Sequence, residues 1–350
     1  MKKVLSSILF FFLVLLSNAQ DFTFSQFYEM PLLRNPALSG IYTGSIRIQS
    51  AYRNQWASVT VPFQTNALSA ELKKPIGSSD DLITFGVQVS TDKAGDSKLG
   101  RIQVEPVINF LKSINDDYSY ISLALMGGYT ESKFDPTLLT FDDQFVGGQF
   151  NPLNATQQVF TKTSMSYADG GAGLAFSSAL PENEMNYYFG IGGFHLLKPK
   201  VNFFNDKSII LKPRYVINGG LHIPTNEFDN VYFYGDYILQ GGARQFLSGV
   251  IFSHLLSDYE YSEYFGKSYL HFGAAYRWAD ALIPIVKLEL KKYFIGASYD
   301  INISKLKSAS MYRGGFEMTF SFKSFFNVKN FLECPPNVLP KKSLETFLGF

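Results

Sequence analysis

From about residue 44 to residue 323 the chain alternates, position by position, between an apolar, largely aromatic set of side chains and a small polar set. Period two puts successive side chains on opposite faces of a strand, so nearly the whole chain is β-structure with two unlike surfaces. In 82–90 (LITFGVQVS), Ile83, Phe85, Val87 and Val89 share one face, and Thr84, Gly86, Gln88 and Ser90 the other. In 314–323 (GGFEMTFSFK), Phe316, Met318, Phe320 and Phe322 oppose Glu317, Thr319, Ser321 and Lys323. Between turn signals the pattern gives fourteen strands, near 44–56, 64–73, 82–92, 98–112, 117–131, 166–179, 186–197, 210–223, 230–241, 244–255, 267–277, 282–291, 293–304 and 312–323. Several reach ten residues, enough to cross a bilayer at a tilt of about 45°.

Composition decides what the two faces meet. The chain has 34 Phe, 21 Tyr and 2 Trp, with charged residues at 17%, against roughly 25% in soluble globular chains. A soluble β-sandwich needs a solvated face rich in Lys and Glu; here the polar face is mostly Gly, Ser, Thr and Asn. After the first twenty residues no apolar run reaches helix-spanning length. A membrane tolerates no unpaired backbone, so strands must cross it as a closed barrel. The expected fold is all-β: a single transmembrane antiparallel β-barrel of about 14 strands, an even count of the outer-membrane type. Lys and Arg number 31 and Asp and Glu 30, a net charge of +1, which gives nucleic acid nothing to bind.

The ends fix the compartment. Lys2 and Lys3, the apolar run 4–16 and the small residues Ser17-Asn18-Ala19 read as a signal peptide over 1–19. Cys334 is the single cysteine, so no intrachain disulfide forms in the exported chain. The expected division is 1–19 signal peptide, 20–43 periplasmic or plug segment, 44–323 barrel and 324–350 periplasmic tail. An even barrel that starts in the periplasm sends its odd-to-even connections outward, where they are longer. The gaps at 132–165 and 198–209 obey this, and that at 256–266 does not.

The polar face then lines the lumen with Arg47, Arg53, Glu105, Asp236, Lys287, Glu289, Lys291, Asp300 and Glu317. Mixed signs make a register-fixing lattice a better reading than a selective ring. No catalytic, cofactor or metal site is expected. His195, His222, His254 and His271 stand singly on strands without His or Cys at ligand spacing. Ser253 and His254 are neighbours and so point to opposite faces. Asp142-Asp143 lacks the further carboxylates of an EF-hand and reads as solvated loop charge. Gly127-Gly128, Gly192-Gly193 and Gly219-Gly220 read as bends inside strands.

Two stretches carry a family resemblance. QDFTFSQFYEMPLLRNPALSG at 20–40 and YRNQW at 52–56 resemble the opening of the PorP/SprF family of Bacteroidota outer-membrane proteins, through Phe24, Ser25, Gln26, Phe27, Tyr28, Pro31, Asn35, Pro36, Ala37, Gly40, Tyr52, Arg53, Asn54, Gln55 and Trp56. YRWADALIP at 276–284, ASYDIN at 297–302 and RGGFEMTFSF at 313–322 resemble its end. The family often finishes at a Cys-Pro element; here the chain continues past Cys334-Pro335 to Phe350. The resemblance implies a non-catalytic role in type IX secretion and gliding. Its partners would be periplasmic ring and lipoprotein subunits or a large surface adhesin, with outer-membrane lipid around it and no small-molecule substrate. An outer-membrane diffusion channel or small-molecule transporter is the alternative. Candidate plug or partner contacts are Phe24, Gln26, Phe27, Tyr28, Arg34, Asn35, Pro36, Tyr52, Arg53 and Trp56. Arg34 and Asn35 are expected to bond barrel carboxylates, Phe24, Phe27 and Tyr28 to pack in a groove, and Tyr52, Arg53 and Trp56 to sit at the interfacial rim.

Overall fold

The computed structural model describes residues 21–325, apart from 58–60, 78–79, 115–117, 161, 181–183, 204–208, 259–266 and 306. The expected signal peptide and the tail from 326, Cys334 included, lie outside the described residues. The strands are β1 (Ile46–Gln55), β2 (Phe63–Pro75), β3 (Leu82–Ala94), β4 (Leu99–Ile114), β5 (Ser119–Lys133), β6 (Phe145–Val146), β7 (Gln149–Phe150) and β8 (Ser164–Leu180). They continue as β9 (Met185–Phe194), β10 (Arg214–Pro224), β11 (Asp229–Gln240), β12 (Ala243–Asp258), β13 (Lys267–Arg277), β14 (Ala281–Leu290), β15 (Tyr293–Asn302) and β16 (Arg313–Ser324). All but β6 and β7 form one closed antiparallel barrel of fourteen strands among the described residues. Each barrel strand pairs with the next barrel strand along the chain, β5 with β8 across the β6–β7 connection, and β1 closes on β16 from Ile46↔Ser324 to Gln55↔Gly315.

Alternation sorts the side chains as the sequence demands. On β5, Leu123 and Leu125 are 59% and 63% exposed while Ala124 between them is 0%. The outward face is the surface that hydrocarbon covers, and no described helix is long and apolar enough to cross a membrane. Inward lie Arg47, Arg53, Asp236, Lys287, Asp300 and Glu317, all buried. Lys291 departs from expectation. It stands at φ 60° in the two-residue turn between β14 and β15 and is exposed, outside the lumen.

Where the strands differ from the sequence reading, turns are the cause. β9 stops at Phe194 because His195 and Lys198 take φ of 56° and 49°, which breaks an extended run. The connection 134–163 holds the small hairpin β6–β7, closed by Gly147 and Gly148 at φ 64° and 82°, the double left-handed turn that favours two glycines. Asp143 organises the same connection, accepting from Thr156 Oγ1 at 2.9 Å and from the Gln157 amide at 2.6 Å. The two longest connections, 134–163 and 195–213, share one end of the barrel, the end that faces outside in outer-membrane barrels.

Candidate functional site

Residues 21–45 contain no strand; they form three 3-10 turns at Phe27–Glu29, Pro31–Leu33 and Pro36–Leu38. Pro31 and Pro36 open two of these turns, where a missing amide costs nothing and a fixed φ helps. Asn35 caps the third, its side chain accepting from the Ala37 amide at 2.9 Å. The segment is a strap through the lumen. Residues 24–44 are all buried except the half-buried Leu33.

Its partners trace its path. Asp21 lies at the outer mouth, where its amide donates to Gln240 Oε1 at 2.9 Å and its carboxylate meets His195 Nε2 at 2.5 Å. Next, the amides of Ser25 and Gln26 donate to the two oxygens of Glu317 at 2.6 and 2.7 Å. Ser25 Oγ donates to Asp300 at 2.5 Å, and Asp300 also binds Arg53 and Arg277 at 2.7 and 3.0 Å. Glu29 then pairs with Lys287 at 2.5 Å and accepts from Ser321 Oγ at 3.1 Å. Arg34 grips Asp236 through Nε and Nη2 at 2.8 and 2.5 Å, donates to Tyr188 Oη at 2.8 Å, and lies over the Phe27 ring. Finally the Gly40 amide donates to Glu71 at 3.0 Å, and Gly44 passes against Ser324 at the inner end of β16. The strap thus runs from the outer mouth to the inner rim with one reversal: it descends to Lys287 near the inner end of β14, turns back to Asp236 nearer the outer end of β11, and descends again to Glu71 and Ser324.

Buried charges are tolerable only when paired and hydrogen-bonded, and each strap carboxylate or guanidinium finds an opposite charge on the wall. Shape adds specificity. A Cβ at Gly173 would collide with Asn35 Oδ1. One at Gly190 would stand 2.6 Å from Asn35 Nδ2, and one at Gly192 3.0 Å from Arg34 O. Three glycines on β8 and β9 therefore form a notch that seats Asn35. Gly192, expected as a bend, acts as part of this seat.

At the mouth, His195 sits between Asp21 and Asp169, which contacts Nδ1. Burial alone would push the imidazole down, but the two carboxylates outweigh it and raise its pKa to about 9. Burial opposes ionisation of Asp21 too, yet His195 and Arg101 hold its carboxyl well below the usual range.

The expected contacts divide. Phe24 packs with Met30, Ala51 and Ala67. Gln26 accepts from Thr319 Oγ1 at 3.0 Å, and Tyr28 stacks on Tyr234 at 4.8 Å, with Phe27 edge-on to it. Pro36 is buried beside Asn35. Arg34 binds a carboxylate as expected, whereas Asn35 donates to the Leu174 carbonyl at 3.2 Å instead. Tyr52 and Trp56 face outward at 36% and 37% exposure. Arg53 does not join them at the rim: the pleat turns it inward, 4% exposed, where it binds Asp300 and the Thr23 carbonyl. Sequence reasoning passed over Asp21, Ser25 and Glu29 as contacts, and over the seats at Gly173 and Gly190. Among these Ser25, part of the family motif, and Glu29, a charge in a mostly apolar stretch, carried a signal.

Among solved structures, the chain is similar to the toluene transporter TbuX of Ralstonia pickettii, with a TM-score of 0.50, 8% identity and coverage of 85% of this chain and 94% of that one. It is also similar to a FadL homologue of Pseudomonas aeruginosa, with a TM-score of 0.44, 7% identity and coverage of 79% and 89%. At these identities the first likeness shows the barrel fold alone. No curated protein matches the chain. Residues 16–322 match the PorP_SprF family, described as type IX secretion system membrane protein PorP/SprF. With a closed fourteen-strand barrel and a match across most of its length, the chain belongs to the PorP/SprF family of type IX secretion system membrane proteins, a bacterial outer-membrane barrel.

Proposed function

We propose that this barrel is a closed, non-catalytic platform of the type IX secretion system that serves export or surface anchoring of a secreted adhesin. The observation that carries the reading is the strap that runs through the lumen. A strap buried over 24–44 and tied to the wall by Arg34–Asp236 and Glu29–Lys287 occupies the space a solute would use. With its interior taken, the barrel offers partners its two mouths and their connections. The outer mouth suits a surface protein; the inner end suits ring and lipoprotein subunits of the motor, the second form of the same reading. A diffusion channel, the competing class, requires a lumen that conducts.

The test is purification from native outer membranes in mild detergent, with co-purifying proteins identified and conductance of the barrel measured in planar bilayers. A large secreted adhesin in stoichiometric amount supports the anchoring role, and ring and lipoprotein subunits support motor coupling. A barrel recovered alone that conducts ions as isolated overturns both.

A further inference from the structure

The wall is uneven at the outer mouth. β8 runs 17 residues and β9 only 10. β5 pairs with β8 from Ser164 to Ser178, but β9 pairs with it only over Ala172–Leu180. Past that point the next contact on the β9 side is the Leu196 amide donating to Gly170 O at 3.0 Å, and among the described residues backbone pairing on that side stops there. Since the N–H and C=O of one strand residue point the same way and alternate along the strand, Ser164, Ser166 and Ala168 aim theirs, like Gly170, at the open side.

This edge stands in water. Down the outward face of β8 the side chains change from Leu180, Phe176 and Leu174, which suit hydrocarbon, to Ala168, Ser166 and Ser164. Lipid would not tolerate the unpaired backbone. Ser164, Ser166 and Ala168 are exposed, and none carries the charge or proline that commonly guards a strand edge.

We propose that the outer edge of β8, residues 164–170, is a docking site for an extended segment of the exported polypeptide, added as a strand. The proposal rests on the anchoring reading above and names its contact. The chemistry of the edge selects the occupant: a row of backbone donors and acceptors is satisfied by another extended backbone. A second copy of this chain does not fit. Two barrels in one membrane are related by an axis along its normal, so both β8 strands run inward and cross at about twice the strand tilt of 35–45°, which forbids a ladder. The incoming strand comes from outside the cell, its alternate side chains falling over Met165 and Tyr167 at the mouth.

The test replaces Ser166 and Ala168 together by proline. This removes two open-edge amides and leaves the β5 ladder, which uses the odd-numbered residues, intact. Ser166→Ala with Ala168→Ser is the control. Barrel assembly is read by heat-modifiable migration, and surface-retained protein by mass spectrometry of peptides shaved from whole cells. The expected result is normal assembly with about tenfold less retained protein, the scale set by two lost hydrogen bonds; wild-type retention overturns the edge. If the proline pair does not assemble, amide exchange over 164–170 in wild-type barrel decides. Slower exchange in native membranes than in the purified barrel supports the proposal, and equal exchange overturns it. A strain lacking the barrel separates the levels: unchanged surface protein there defeats the anchoring reading itself, whereas loss there with retention in the proline pair defeats the edge alone. A disulfide-linked dimer of Ala168→Cys would put a second copy on the edge and also overturn the proposal.

Discussion

The outward and inward faces of the same fourteen strands obey different rules. Outward, Leu123, Leu125, Phe189 and Phe320 meet a solvent that asks only for apolar surface, so each is replaceable by any neighbour of its kind. Inward, Glu317, Lys287, Asp236 and Gly173 each answer particular atoms of the strap. The outer face therefore determines where the protein resides, and the inner face determines what occupies it.

The sharpest break of that contrast is Lys287→Ala, which leaves Glu29 buried without its ion-pair partner. The expected loss is about 3–5 kcal/mol, read as lower resistance to heat or urea, and Glu29→Gln in the same chain should recover most of it. Failure of the second change to rescue would mean the pair is not a unit. A slightly smaller effect is expected outside: Leu125→Arg should cost about 2–4 kcal/mol if the residue lies near the bilayer midplane, while Leu125→Phe should be nearly silent in the same assay. Asn35→Ala removes a cap and a bond to Leu174 but leaves the notch, for a loss of roughly 1–2 kcal/mol. Asn35→Leu in the same notch should be worse, because the three glycines leave no room.

The mildest probe is pH. A histidine raised from its ordinary value near 6.5 to about 9 contributes stability that is complete below the lower value and is lost as pH rises through the upper one. Asp21, held low, stays ionised throughout that window. The apparent melting temperature should fall by a few degrees between pH 6 and 10, at roughly 2–4 °C per kcal/mol. In His195→Asn the fall should be much smaller. Equal slopes would remove His195 from the strap's outer anchorage.

Much of the barrel was legible because period two is a local signal and each barrel strand repeats it. The strap was only half legible. Asn35-Pro36 and the aromatic run at 24–28 stood out as a motif, but the wall residues that Asn35 and Gln26 bond, Leu174 and Thr319, lie 139 and 293 residues away, and nothing local says which lumen residue meets which. Gly173 and Gly190 look like any strand glycine until Asn35 is placed against them. Arg53 was misplaced at the rim because its neighbours Tyr52 and Trp56 suit it, although the alternation that sends Tyr52 outward must send Arg53 inward. The unequal heights of β8 and β9 depend on a backbone reversal at His195, a residue type that tolerates positive φ better than most but whose reversal is secured by contacts with Asp169 and Asp21 far away in the sequence.

The strap also sets an order of events. It leads directly into β1, and β1 is the strand that joins β16 to complete the ring. A thread already fastened to the rim of a finished hoop could be drawn through it only by pulling its free end past every occupied position. Here Asp21, Glu29 and Arg34 are each held to the wall by an ion pair along the way. The first residues must therefore be laid along the nascent wall before the seam closes, so that the ring forms around them as a cast forms around a core. On this view the strap's charges and aromatics are guides for construction as much as contents of the finished barrel. A bulky group fused ahead of Asp21 would be expected to act on the rate of closure rather than on the stability of barrels that have already closed.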